Sequence, residues 1–338
     1  MKYQISKIAQ ILGIHNNELF DADISILLTD SRKLSNPSET LFFAITTKNN
    51  DAHKYISELY NYGVKNFVIS KTLPEWQQFE GANFLLVKNT VTALQKLASY
   101  HRSKFNYPVI GITGSNGKTI VKEWLYQLLG NDYNIVRSPR SYNSQVGVPL
   151  SVWEMSDKND LAIFEAGVSQ PDEMMRLEQI IKPTIGIFTE LGEAHQENFT
   201  SMQQKCMEKL ALFSNSDMFV YEEDNRVINQ SVDLMVLSQK SYGWSKKNHD
   251  APLFIQKIEK GEQSTNIHYS FLQFHYSASI PFTDDASISN AISCLAVMLY
   301  LNINPATISE RMLQLEQVAM RLDVRQGNNK CTISNDSY

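Results

Sequence analysis

The pattern of apolar and polar positions alternates between two periods along most of the chain. Short apolar runs, which are typical of buried strands, stand between segments in which apolar residues recur every three or four positions. The first such segment, MKYQISKIAQILGI, predicts an amphipathic helix whose apolar face carries Ile5, Ile8, Ala9 and Leu12. This alternation predicts an α/β fold, with mostly parallel sheets covered by helices on both faces.

The first third of the chain alternates in this way up to a proline. The strands predicted there are 41–45, 66–70 and 83–87, and the helices are 54–63 and 90–105. Pro108 ends the last helical pattern, and the strand 109–113 follows it. We therefore expect a first domain over residues 1–106, a central domain over 107–325 and the start of a further domain over 326–338.

The rest of the chain also alternates between apolar runs and helical patterns. Further strands are predicted at 161–167, 184–192, 217–221 and 233–237. Alternation of period two over 253–280, around a glycine-containing turn, predicts an antiparallel hairpin. Helices follow at 286–301 and 305–317. The last segment, CTISNDSY (331–338), is typical of a strand entering a turn, so we expect the chain to be a piece of a longer protein.

Composition narrows the function classes. The formal net charge of −5 provides no broad cationic field, which disfavours nucleic acid as a partner. The three cysteines lie far apart and form no C-x-x-C pair, so we expect the reducing environment of the cytoplasm. No apolar run approaches the ~18 residues that a membrane-spanning helix needs.

Residues 111–124, GITGSNGKTIVKEW, place a glycine-rich loop between a strand and a helix. Glycines let backbone N–H groups approach phosphate oxygens, and a helix N-terminus favours anions. Lys118 would then contact the β- and γ-phosphates, and Thr119 would offer its hydroxyl to Mg²⁺. The residues expected to bind ATP here are Thr113, Gly114, Ser115, Asn116, Gly117, Lys118 and Thr119.

The spacing of this loop departs from the common G-x-x-x-x-G-K-[ST] pattern. Gly114 and Gly117 give only G-x-x-G-K-T, and Gly111 lies one position too far out. The alternative is a glycine-rich turn that caps a helix. The preceding strand, the following helix and the Lys-Thr pair favour a nucleotide site.

Two further residues fall at the carboxyl ends of predicted strands, where ligands of α/β sheets gather. Glu165 ends the apolar run LAIFE, and His195 follows the strand 184–192 closely. A carboxylate and a neutral imidazole can complete a divalent-metal shell with Thr119 and phosphate oxygens, although Mg²⁺ prefers oxygen ligands. The alternatives are a capping or surface carboxylate for Glu165 and a hydrogen-bonded loop histidine for His195.

Lys209 falls on an apolar helical face. The segment 201–213 places Met202, Cys206, Leu210 and Phe213 on one side of a helix. Lys209 lies within about 20° of Met202 on that helical wheel, so it points inward. A buried ammonium is costly unless it is paired or modified. The alternative is a lysine that reaches solvent past the apolar edge.

Four segments resemble the Mur ligase family in their order and spacing: GITGSNGKT, FEAGVSQPDEM, TELGEAHQENF and MEKLALF. Earlier in the chain, TDSRKLSNPSETLFFAI and NNDAHKYI are similar to the uridine-nucleotide domain of that family. Two more segments, SYNSQVGVPLSV (141–152) and RLDVRQGNNKCTISNDSY (321–338), resemble the members that act on D-alanyl-D-alanine. The resemblance covers essentially the whole chain, and the ordered set is more specific than the phosphate loop alone.

The resemblance implies an ATP-dependent, amide-forming enzyme of peptidoglycan synthesis that works through an acyl phosphate. The implied substrates are UDP-N-acetylmuramoyl-tripeptide and D-alanyl-D-alanine, and the implied cofactors are ATP and Mg²⁺. It implies that Lys118 contacts the ATP phosphates. The residues that it places around Mg²⁺ are Thr119, Glu165 and His195. Lys209 is the implied site of carbamylation by CO₂, which would turn an inward cation into a metal-binding anion.

The resemblance also transfers residues to the two substrates. For the nucleotide, the matching positions are Asn290, Arg321 and Asp336. For the UDP-linked substrate, the matching positions are Ser31, Arg32, Asn143 and Ser144. The alternative for Ser31 and Arg32 is an exposed turn.

Two departures from the family and several rivals remain. Ile120 stands where many relatives have a second threonine, and the resemblance leads us to expect that the third domain of the family would follow Tyr338 in a longer chain. We therefore expect this chain alone to bind ligands but to catalyse negligible ligation. The resemblance also suggests a longer parent protein in which the ligase is fused to an alanine racemase.

The rival functions are those of a sister Mur ligase, a folylpolyglutamate synthase, or a module that binds nucleotides and UDP-sugars without turnover. The DSR segment and the domain before the phosphate loop disfavour the folate enzyme.

Overall fold

A computed structural model describes residues 1–15, 18–72, 74, 78–193 and 196–318, and the backbone of 322–326 and 332–336. The chain divides into two compact units. The first unit comprises Met1–Thr113, Asn134–Gly186 and His195–Asp217; the second comprises Gly114–Tyr133, Ile187–Ala194 and Met218–Tyr338. Within the described ranges, no helix has both the length and the apolar character needed to cross a membrane.

The elements alternate along the chain. The strands are β1 (Tyr3–Gln4), β2 (Asp23–Ile24), β3 (Ile26–Leu28), β4 (Thr40–Phe43), β5 (Asn66–Ile69), β6 (Asn83–Leu86), β7 (Val109–Thr113), β8 (Ile135–Arg137), β9 (Leu161–Glu165), β10 (Ile185–Phe188), β11 (Met218–Glu222), β12 (Ser241–Ser245), β13 (Leu253–Lys260), β14 (Thr265–Phe271), β15 (Phe274–Ile280), β16 (Leu322–Gln326) and β17 (Thr332–Asp336). The α-helices are α1 (Ile5–Leu12), α2 (Ile56–Asn61), α3 (Thr90–Arg102), α4 (Lys118–Leu129), α5 (Gly147–Trp153), α6 (Met174–Ile181), α7 (Met202–Leu210), α8 (Arg226–Leu234), α9 (Asp285–Tyr300) and α10 (Pro305–Leu313).

The first unit contains two sets of parallel strands. Strands β3, β4, β5 and β6 pair in chain order, whereas β9 pairs with both β7 and β8. Helix α1 buries Ile5, Ile8 and Ala9 in the core shared with α3, as its pattern predicts. Gly13, at a φ of 79°, ends α1 in the left-handed conformation that glycine adopts without strain.

A buried histidine links three separate segments of this unit. The Tyr3 hydroxyl lies 2.8 Å from His101 Nδ1, and His101 Nε2 lies 3.0 Å from the carbonyl of Met155. Because a carbonyl only accepts, Nε2 carries the proton and Nδ1 accepts from Tyr3. Burial lowers the pKa of His101 from 6.5 to about 4, so the ring is neutral at physiological pH.

The second unit combines parallel and antiparallel pairing. Strand β12 runs parallel to β11 and β13, and β13, β14 and β15 then pair antiparallel. Helix α9 is buried on most of its surface and packs against α4. Strands β16 and β17 form an antiparallel hairpin, which agrees with the strand predicted near the end of the chain.

Two predicted elements differ in the structure. The strand predicted at 233–237 is wrong, because α8 runs to Leu234 and a turn follows it. The Asn225 side chain accepts hydrogen bonds from two N–H groups of the first turn, and Ile228 and Val232 are buried at helical spacing. A short apolar run cannot by itself distinguish a strand from the end of a helix. The strand of this region is β12, which the pattern missed.

The segment 253–280 contains one strand more than the predicted hairpin. A second turn at Leu272 and Gln273, whose φ angles are 48° and 67°, separates β14 from β15. Neither residue is a glycine, so the sequence carried no turn signal there. The other predicted strands and helices lie within a few residues of the observed ones, and the α/β fold class is confirmed.

Candidate functional site

The glycine-rich loop follows β7 and begins the second unit at Gly114, directly before α4. Gly114 and Gly117 have φ angles of 142° and 83°, which explains why glycine is needed at both positions. The Lys118 Nζ donates hydrogen bonds to the carbonyls of Gly114 and Ser115, at 2.9 and 3.1 Å. The loop and the first turn of α4 therefore present backbone N–H groups beside a fixed cation, an arrangement suited to phosphate.

The segment 189–192, which follows β10, holds this loop in place. The Ser115 N–H donates to the Glu190 carbonyl at 2.6 Å, and the Ser115 hydroxyl donates to the Gly192 carbonyl at 3.1 Å. The Thr189 hydroxyl donates to the Asn116 carbonyl at 2.5 Å, and Asn116 Nδ2 donates to Glu190 Oε2 at 3.0 Å. This support was not predicted, because the segment TELG resembles only the end of a strand.

Asn290 reaches the same loop from α9. It is 7% exposed, and a Cβ added to Gly117 would collide with the Asn290 Oδ1. A Cβ added to Gly114 would collide with the Thr189 hydroxyl in the same way. The structure therefore brings Asn290 to the phosphate loop, where the resemblance to Mur ligases places a nucleotide contact.

Glu165 is fully buried at the end of β9 in the first unit. It lies opposite Ile112 in the parallel ladder, and its N–H donates to the buried Ser138 hydroxyl at 3.2 Å. The Thr113 hydroxyl donates to the carbonyl of Ala166 at 2.9 Å. Glu165 therefore lies beside the strand end that leads into the phosphate loop, and its burial excludes the surface-carboxylate alternative.

Lys209 is buried on α7, at 4% exposure, as the helical wheel predicts. Because the side chain is buried, the alternative of a lysine that reaches solvent is wrong. Lys205, one turn earlier on the same face, is also buried at 1% exposure. Lys205 was not predicted to be buried, although its i, i+4 spacing places it on the same helical face as Lys209. Two buried amines on one helical face mark α7 as chemically unusual.

A cavity of about 280 Å³ lies in the first unit, beside β3. Lys33 and Tyr142 border it, and Lys33 Nζ donates to the Tyr142 hydroxyl at 2.5 Å. The complete lining is Ser25, Ile26, Leu27, Leu28, Thr29, Asp30, Lys33, Pro139, Tyr142, Leu150, Trp153 and Glu154. An apolar wall with a few convergent polar groups is typical of a small-molecule site.

The predicted Ser31 and Arg32 lie next to this cavity in sequence but do not line it. They begin a 3₁₀ turn capped by Asp30, and Arg32 pairs with the Asp30 carboxylate at 2.9 Å. The hydrogen bond from Arg32 lowers the pKa of Asp30. Arg32 itself is exposed, which agrees with the exposed-turn alternative. Their neighbours Asp30 and Lys33 do line the cavity, and neither was predicted from the sequence.

Asn143 and Ser144 lie between β8 and α5. The Gly167 N–H donates to the Asn143 carbonyl at 2.8 Å, and a Cβ at Gly167 would lie 3.1 Å from Asn143 Cγ. Asn143 therefore lies beside Gly167, which is two residues after Glu165. Ser144 is exposed, and its hydroxyl accepts from the Gly147 N–H at the start of α5.

Three predicted residues have no described side chain. His195 and Arg321 lie outside the described residues, and Asp336 is described only as the last backbone position of β17. Among the side chains that the structure does describe, no three His, Cys, Asp or Glu residues form a metal-binding group. A magnesium site built from a hydroxyl, a modified lysine and phosphate oxygens would draw on donors of other kinds.

Solved structures and curated proteins resemble this chain over most of its length. A crystal structure of MurF from Acinetobacter baumannii covers all of this chain and 73% of its own, with a TM-score of 0.86 and 22% identity. A MurF ligase from Thermotoga maritima in complex with ADP covers 93% of this chain and 71% of its own, with a TM-score of 0.77 and 22% identity. At these identities, the likenesses show the fold.

The sequence comparisons show the family as well as the fold. The UDP-N-acetylmuramoyl-tripeptide–D-alanyl-D-alanine ligase of Borreliella burgdorferi is 31% identical over 93% of this chain and 69% of its own length. The family profile of the Mur ligase middle domain matches residues 112–298, which include the phosphate loop, Glu165, Lys209 and Asn290. This match covers more than half of the 338 residues. The predicted resemblance is confirmed: the chain belongs to the Mur ligase family.

Proposed function

We propose that this Mur ligase adds D-alanyl-D-alanine to UDP-N-acetylmuramoyl-tripeptide in peptidoglycan synthesis, at the expense of ATP. The observation that carries the proposal is the preformed phosphate loop with Lys118 at the start of α4. It lies in a chain whose curated relatives are ligases named for these two substrates. A sister specificity within the family is the main rival.

The reaction needs charge stabilisation and positioning rather than a protein nucleophile. The γ-phosphoryl group of ATP passes to the terminal carboxylate of the tripeptide, which gives an acyl phosphate and ADP. The amine of D-alanyl-D-alanine attacks the acyl carbon, and the tetrahedral intermediate loses phosphate and a proton to give the amide. Lys118 and the N–H groups of α4 counter the negative charge of the phosphates during this transfer. The fixed loop holds the phosphates in one orientation.

The residues assigned to magnesium by the family resemblance are Thr119, Glu165, His195 and Lys209. Bound Mg²⁺ would neutralise the charge that develops on the transferring phosphoryl group. Glu165 fits such a role because a fully buried carboxylate requires a partner of opposite charge or strong hydrogen bonds. Lys209 fits it only as a carbamate, because an ammonium cannot bind a metal ion. The carbamate on Lys209 is therefore part of this proposal.

The remaining assignments concern the substrates. We assign ATP to the phosphate loop and to Asn290, Arg321 and Asp336, and the UDP-linked substrate to the cavity beside β3. The positions proposed for that substrate from the family resemblance are Ser31, Arg32, Asn143 and Ser144, which lie next to lining residues in sequence rather than in the lining itself. A first domain over 1–106, a central domain over 107–325, a third domain beginning at 326, a cytoplasmic location and a fused racemase in a longer parent belong to the same proposal.

Binding of the substrate tests the proposal directly. A ligand at 100 times its dissociation constant stabilises a folded chain by about 2.7 kcal/mol, which a thermal-shift titration detects. We expect UDP-N-acetylmuramoyl-tripeptide to raise the melting temperature. The controls are UDP-N-acetylmuramoyl-L-alanine and dihydrofolate. A larger shift with the first control would assign the chain to a sister ligase, and a larger shift with the second to a folylpolyglutamate synthase.

A pair of lysine variants tests the cavity assignment. Lys33 faces the cavity, whereas Lys88 is exposed after β6 and lies outside the lining. Lys33→Met should weaken binding of the UDP-linked substrate about tenfold, the loss expected for one charge-assisted hydrogen bond to a phosphate. Lys88→Met removes the same charge and should leave the affinity unchanged. Equal affinities for the two variants would place the substrate elsewhere.

A further inference from the structure

Glu190 places a carboxylate at the edge of the phosphate loop. Its carbonyl accepts from the Ser115 N–H, and its Oε2 accepts from Asn116 Nδ2 at 3.0 Å. Two hydrogen bonds to neighbouring loop residues fix both ends of Glu190, although the residue is exposed. The carboxylate is therefore held beside Asn116, within the loop that would bind phosphate.

A fixed carboxylate beside a phosphate-binding loop opposes the ligand that the loop attracts. The loop N–H groups and Lys118 favour a polyphosphate, whereas the Glu190 carboxylate repels it. The repulsion grows with the net charge of the ligand. Metal-free ADP carries about three negative charges and its magnesium complex about one, so the repulsion falls about threefold when the metal is bound.

We propose that Glu190 makes the phosphate loop selective for metal-complexed nucleotide. The carboxylate raises the dissociation constant of free ADP or ATP much more than that of the magnesium complex. The loop therefore fills with nucleotide that already carries the metal needed for phosphoryl transfer. This inference deepens the proposed function and rests on its nucleotide site.

The Glu190→Gln variant tests the charge alone. Glutamine keeps an oxygen that can accept from Asn116, so the loop geometry is preserved while the negative charge is lost. Calorimetric titration of the full chain with ADP, in EDTA and in excess magnesium, measures both affinities. Metal-free ADP carries about three times the charge of its magnesium complex, so the change in binding free energy should be about threefold larger in EDTA. If Glu190→Gln raises the affinity for ADP about twofold in magnesium, it should therefore raise the affinity about eightfold in EDTA.

Two controls separate this effect from others. Glu262→Gln removes the same charge from an exposed turn between β13 and β14, and should change neither affinity. Glu190→Ala removes both the charge and the hydrogen bond. If the charge is the cause, this variant should also raise the affinity for ADP more in EDTA than in magnesium. In an Asn116→Ala background, the carboxylate is no longer held, so the gain from Glu190→Gln should shrink.

The possible results are distinguishable. An EDTA gain in both Glu190 variants that exceeds the magnesium gain supports the selectivity. Equal gains under both conditions, or a change in Glu190→Ala alone, would overturn it, because the effect would then come from loop geometry. A wild-type chain that binds ADP under neither condition would instead overturn the nucleotide site, and with it the proposed function.

Discussion

Acidification should weaken the first unit through His101. This histidine is buried, and its neutral ring bridges Tyr3 and the Met155 carbonyl. The pKa of His101 is about 4 in the folded chain and 6.5 in the unfolded chain. The unfolded state therefore binds the proton more readily, and stability is lost as the pH falls from 6.5 towards 4. More than about one pH unit above 6.5 both states are neutral at this position, and His101 contributes no pH dependence.

The magnitude follows from these two pKa values. At pH 5 the unfolded histidine is almost fully protonated and the folded one is mostly neutral, which lowers the free energy of unfolding by about 2 kcal/mol. The complete loss below pH 4 approaches about 3 kcal/mol. A loss of this size is a large part of the stability of a typical domain.

Urea unfolding at a series of pH values provides the assay. Trp153 lies 4.6 Å from His101 between ring centroids, so its fluorescence reports on the unit that contains the histidine. His101→Gln should remove about 2 kcal/mol of the decrease between pH 7 and pH 5. His275→Gln, which changes an exposed histidine on β15, should leave the decrease in place. The same pH slope in wild type and His101→Gln would refute the reasoning.

Three further predictions concern other buried or strained positions. Gly117→Ala should weaken ADP binding at least about tenfold in calorimetry, since a side chain at a φ of 83° strains the loop; unchanged affinity would show that the loop adapts. The Arg102 guanidinium donates hydrogen bonds to three carbonyls, so Arg102→Met would leave these carbonyls unsatisfied. This substitution should lower the free energy of unfolding by about 3 kcal/mol in urea, and a loss below about 1 kcal/mol would contradict the reasoning. With ¹³C-labelled bicarbonate, a carbamate resonance should disappear in Lys209→Gln and persist in Lys205→Gln, and the reverse pattern would move the modification to Lys205.

The fold was predictable where the sequence pattern is local. Strand β7 and helices α1, α3 and α9 follow directly from apolar spacing and flanking Pro, Gly or capping residues. The errors arose where the local signal was ambiguous. The run DLMVL is apolar enough for a strand, but Asn225 starts a helix eight residues before it. The turn after β14 contains no glycine, so only the pairing of β14 with β15 reveals it.

The site was predictable only in part, for a different reason. Residues that carry their own signal, such as Lys118 in the glycine-rich loop or Lys209 on an apolar helical face, were found from their immediate neighbours. Asp30 and Lys33 face a cavity whose opposite wall comes from residues 139–154, more than a hundred positions later. No local pattern marks a residue whose role depends on such a distant partner.

The glycines of the phosphate loop show how these two kinds of information combine. From sequence, Gly114 and Gly117 are explained by the approach of phosphate. In the structure, each also makes room for a protein side chain, because a Cβ would collide with Thr189 or Asn290. The loop is thus fixed by segments more than seventy residues away before any ligand binds. Contacts of this kind can hold the loop in shape despite its unusual G-x-x-G-K-T spacing, because the fixed conformation no longer depends on the full glycine pattern.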